Sequence, residues 1–106
     1  MEISKENLSY KQLVTIAHAW CIDNPGKYGR VRLSDAKTGT KVWHTQIGAT
    51  HNGLLSHTGR SNLDKAVARI QYRTGNPGTR FDVIIKLDWT QSSIVDDYEG
   101  VEVIGK

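Results

Sequence analysis

The chain has 106 residues, 38% hydrophobic and 24% charged, with a net charge of +3, a composition that fits one soluble globular domain spanning 1–106 rather than a disordered chain. A lone cysteine, Cys21, excludes an internal disulfide and favours a reducing compartment. The opening residues lack the basic and apolar regions of a signal peptide, and no apolar run is long enough to span a membrane, so a cytoplasmic protein without membrane contact is expected.

In chain order, the first predicted element is a helix that starts at a capping box. Ser9 is the cap and Gln12 stands three residues on, so each side chain can satisfy the other residue's backbone N–H. Leu13, Ile16, Ala17 and Trp20 then recur with helical period and make one apolar stripe. Asn24-Pro25-Gly26 stops it, because the residue before proline is driven out of the α region.

A hairpin follows. Residues 30–33 alternate polar and apolar, residues 35–39 supply turn chemistry, and 41–47 return. With a four-residue loop at 36–39, Leu33 would face Val42 and Arg32 would face Trp43. Arg30, Arg32, Lys41 and Trp43 would then share one face, and Val31, Leu33, Val42 and His44 the other. A one-residue slip regroups them all.

Residues 48–60 contain three glycines among Thr, Asn, Ser and His and read as a long loop of the kind that carries function. A second helix is predicted over 62–74, capped by Ser61, with Leu63, Ala66, Val67 and Ile70 facing the core. Lys65, Arg69 and Arg73 form a second stripe beside Tyr72. Like charges at that spacing repel by about a few tenths of a kcal/mol per pair, a cost that an anionic partner would relieve. Residues 80–89 alternate strictly and read as a strand, and 101–104 as a short last one. The order is roughly α-β-β-α-β with a further strand. It implies an α+β domain with two helices packed on an antiparallel or mixed sheet.

The modest net charge conceals a segregation. Residues 26–80 hold ten basic residues against two acids, whereas two lysines face six acids from 81 onward. Such a basic middle suits a phosphate-rich or acidic partner. The candidate contacts for nucleic acid or another anion are Arg30, Arg32, Lys41, Arg60, Lys65, Arg69 and Arg73, with Trp43 and Tyr72 as stacking residues. His51, Asn52, His57 and Ser61 are candidate loop contacts, and Gly59, Arg60 and Ser61 a candidate phosphate seat at a helix start for a small nucleotide held by the 48–61 loop. No P-loop or dinucleotide motif is present. The spacing of His44, His51 and His57 matches no zinc pattern, and Cys21, three residues after His18, borders an apolar stripe, which favours a buried, inert thiol. The expectation is a non-enzymatic binding protein with no catalytic residue, metal or cofactor. Its partner would be nucleic acid or another phosphate-rich molecule. The alternative is a small protein-binding inhibitor, of the kind phages and mobile elements encode, docking on an acidic or nucleic-acid-binding surface. Basic middle against acidic end would also permit homo-oligomers.

Overall fold

The computed structural model describes residues 2–88. They form β1 (Ile3–Leu8), α1 (Tyr10–Asp23), β2 (Tyr28–Asp35), β3 (Val42–Gly48), α2 (His57–Thr74) and β4 (Phe81–Leu87). The strands make one sheet in the order β1-β4-β2-β3, and every neighbouring pair is antiparallel. β1 and β2 therefore run parallel with β4 between them, and β3 and β4 run parallel with β2 between them. Each helix thus crosses over one intervening strand. The expected α+β class is observed, with a purely antiparallel sheet. The strand expected at 101–104 and the end of the strand expected over 80–89 lie outside the described residues.

The core lies between the sheet and the two helices. α1 contributes Leu13, Ala17, Trp20 and Cys21, and α2 contributes Leu63, Ala66, Val67 and Ile70. They pack on Val31, Leu33, Ile47, Phe81, Val83 and Ile85 from the sheet. Trp20 is fully buried, and Gly29 lets it approach, since a Cβ there would stand 2.9 Å from the indole. The capping box of α1 forms as read: Ser9 Oγ accepts from the Gln12 N–H, and the Ser9 N–H donates to Gln12 Oε1 at 2.9 Å.

Three features depart from the sequence-based expectation. First, a strand precedes α1. Its residues are mostly polar and exposed, with only Ile3 and Leu8 half-buried, because β1 is an edge strand that is held by hydrogen bonds to β4 rather than by burial. Asn7 adopts a left-handed conformation at φ 56°, open to asparagine at low cost. The pairing shifts between Lys5 and Leu8, and the Asn7 N–H donates to Asp82 Oδ1 at 2.9 Å.

Second, the hairpin is one residue out of the expected register. Leu33 faces Trp43 and Arg32 faces His44. The cause is the Asp35 carboxylate. It accepts the N–H groups of Thr38, Thr40 and Lys41 at 2.9, 3.1 and 2.9 Å and the Thr38 hydroxyl at 2.7 Å. That wraps a five-residue loop, 36–40, around one oxygen pair, closed by the Asp35 N–H donating to Lys41 O. The Lys41 N–H above all, then the Thr38 and Thr40 donors, hold the Asp35 pKa down at about 2.

Third, α2 begins at His57, capped by Ser56, whose hydroxyl accepts the Gly59 N–H at 3.0 Å. The long loop therefore shrinks to 49–56, pinned by the pairing of Ala49 with Leu55. Gly59 is a helical residue, not a breaker. A Cβ at that position would stand 2.9 Å from the Gly48 nitrogen and 3.1 Å from the Ile47 Cα, so glycine lets the first turn of α2 lie directly on β3.

Candidate nucleic-acid interface

The register sets the electrostatics of the surface. Because Trp43 faces Leu33, its ring lies on the helix side of the sheet, at the edge strand β3 over which α2 packs. There the guanidinium carbons of Arg69 and Arg73 lie 5.2 and 5.4 Å from the indole centroid. A ring face attracts a cation without neutralising it. Lys65 and Tyr72 continue the same helical stripe, and Tyr72 is 88% exposed. No ion pair involves Lys65, Arg69 or Arg73 among the described residues. Trp43 itself is half-buried beneath the two arginines. It orders them, and the exposed ring on this stripe is Tyr72.

Arg60 occupies a different setting near the start of the same helix. Its Nε lies 3.4 Å from Asp64 Oδ1, and its Nη2 donates to the Tyr10 hydroxyl at 3.0 Å. That hydroxyl in turn donates to Asp64 Oδ1 at 2.6 Å. The Tyr10 contact first, then the Asp64 charge, push the Arg60 pKa still higher. Its charge is compensated on the surface of the protein.

Arg30 and Arg32 lie on the opposite face of the sheet from Trp43, with His44, Lys86 and the half-buried Ile84. The grouping of Arg30, Arg32, Lys41 and Trp43 on one face is therefore corrected: the shifted register exchanges Trp43 for His44. Lys41 instead opens toward Arg73, and both line a groove with Lys37 and Arg80. Sequence reasoning left Lys37, Arg80 and Lys86 out of the candidate contacts. Lys37 was visible as a basic turn residue and Lys86 as part of the polar face of the last strand. Arg80 precedes β4, and its place in the groove depends on the packing of the turn.

The proposed phosphate seat at Gly59, Arg60 and Ser61 lies further into the helix than expected: α2 starts at His57 and the Gly59 N–H is already taken by Ser56 Oγ. His57, Arg60 and Ser61 border a shallow depression with Asp64 and Lys65. His51 and Asn52 are exposed in the turn whose Gly53 lies against the backbone of Cys21 and Ile22, at the end of α1. The loop candidates thus sit at the Gly48 end of β3, apart from the arginine pair. Among the described residues no group of three metal-ligating side chains occurs. Cys21 is buried, its thiol 4.0 Å from Gly48 O, and burial raises its pKa to about 12. The burial expected of this thiol is observed. No helix of the described residues is long and apolar enough to cross a membrane. No protein-family model, no curated protein and no solved structure matches the chain, so any function assigned to it rests on its own residues.

Proposed function

We propose that this protein binds nucleic acid along the edge formed by α2 and β3, with no reaction of its own. Lys65, Arg69 and Arg73 contact phosphates, Lys41 extends the track, and Tyr72 stacks on a base. The observation that carries the reading is the pair Arg69 and Arg73 held over Trp43 with no carboxylate partner among the described residues. Two guanidinium groups ordered by a ring keep their full charge and lose less side-chain freedom when a phosphate arrives. Arginine's fork also matches phosphate oxygens better than a lysine point charge does. The exposed Tyr72 supports single-stranded substrates, whose bases are free to stack.

The test is titration of the full chain into labelled single- and double-stranded oligonucleotides at several salt concentrations. Affinity is expected to fall linearly in log salt, with a slope near 0.7 per phosphate neutralised for single strands. Absence of binding at low ionic strength would overturn the reading. A tight, salt-insensitive protein partner captured by the same edge would replace it with the inhibitor alternative.

A further inference from the structure

We propose that the groove between the β2–β3 turn and the α2–β4 connection is a polyphosphate seat. It takes an anion with two or more linked phosphates, as in a nucleotide or a nucleic-acid backbone. This deepens the nucleic-acid reading and rests on it for the second of those sources. The groove encloses about 700 Å³, within the size range of ligand sites. Lys37 and Lys41 line it from the turn, Arg73 and Arg80 from the other wall. None of the four has an ion-pair partner among the described residues.

Three further features suit the site to an anion. The Asp35 carboxylate in the lining is already occupied by three backbone N–H groups and the Thr38 hydroxyl, so it does not pair with the lysines. Two carbonyls of the last turn of α2, which would repel an anion, are covered. Gln71 O accepts from the Gly75 and Asn76 N–H groups and the Thr74 hydroxyl, and Tyr72 O accepts from the Gly75 N–H. The two walls are also tied together, because the Ala36 N–H donates to Arg80 O at 2.8 Å. The Arg80 guanidinium donates through Nε and Nη2 to Asn7 O, Asn7 Oδ1 and Gln12 Oε1. Such a prearranged cleft needs little reordering to bind.

The experiment is calorimetric titration of the full chain with inorganic tripolyphosphate, alongside oligonucleotide binding. It compares wild type, the Lys37→Gln/Lys41→Gln variant and a Lys5→Gln/Lys27→Gln control outside the groove lining. Tripolyphosphate affinity is expected to fall about tenfold or more in the first variant and less than about twofold in the control. Equal weakening by both, or no tripolyphosphate binding at low salt, would overturn the groove. Oligonucleotide binding that is lost in Arg69→Gln/Arg73→Gln but untouched in Lys37→Gln/Lys41→Gln would overturn the groove's share in nucleic-acid binding and leave the α2 edge intact. Groove-dependent tripolyphosphate binding without any oligonucleotide binding would keep the groove, assign it to a free polyphosphate ligand, and sink the nucleic-acid reading.

Discussion

Arg60 and the pair Arg69 and Arg73 lie on one helix, and each guanidinium sits over an aromatic ring. Arg60 is 5.9 Å from the Tyr10 centroid, close to the 5.2 and 5.4 Å of the other two over Trp43. The difference lies in what else the ring brings. Tyr10 carries a hydroxyl that joins Arg60 and Asp64 in one network, whereas the indole of Trp43 faces its arginines with a hydrocarbon surface. At one end of α2 the charge is compensated within the protein; at the other it is held over a ring with no carboxylate partner among the described residues. The position of a basic residue in a sequence is therefore a poor guide to its use, and its tertiary neighbours are a better one.

That contrast can be broken or sharpened in four ways, from the largest expected effect to the smallest. Asp35 is the acidic counterpart of Arg60, a charge fully engaged by the fold. Asp35→Ala should lower stability at pH 7 by about 2–3 kcal/mol, since it removes four hydrogen bonds to a charged carboxylate. Its folded pKa is depressed to about 2 from 3.8, so the carboxylate's contribution is present above the unfolded value and lost as pH falls through about 2. Urea melts should show the gap between variant and wild type closing below about pH 4; a constant gap down to pH 2 would remove the charged cradle from the account.

Replacing both Arg69 and Arg73 by alanine should weaken oligonucleotide binding by about ten- to a hundredfold and flatten the log-log salt slope by about 1.4. Anisotropy titrations at several salt concentrations read both. A smaller affinity loss with an unchanged slope would mean that the pair does not touch phosphate. Trp43→Leu keeps both charges and removes the ring that orders them. Binding should weaken by about two- to fivefold, the scale of an exposed cation–π contact, with the salt slope unchanged. A loss as large as that of the double arginine variant would instead make Trp43 a direct contact. Arg60→Ala should change affinity less than about twofold, because its partner is already Asp64; a tenfold loss would erase the contrast between the two ends of the helix.

Local signals proved reliable wherever a few adjacent residues settle the outcome. The Ser9–Gln12 box starts α1, and the Lys65, Arg69 and Arg73 stripe emerges exposed on α2. They failed wherever the deciding partner lies far along the chain. β1 is a polar hexapeptide that becomes a strand only because β4 offers it a ladder. Gly59 looked like a break because its reason, the backbone of Ile47 and Gly48, lies on another element. Trp43 changed face because one aspartate took four donors and lengthened a turn by a residue.

The sequence by itself determined the helices' apolar faces, the antiparallel hairpin and the concentration of cations between residues 26 and 80. Periodicity, capping and charge count are properties of neighbours along the chain. Only the tertiary structure decided which neighbours each of those cations has. Arg60 was given a carboxylate and a phenol, Arg69 and Arg73 an indole, and Lys37, Lys41, Arg73 and Arg80 a common groove. Whether a charge is neutralised depends on distances of a few ångströms between distant residues, and these were set by strand order and a one-residue choice of register.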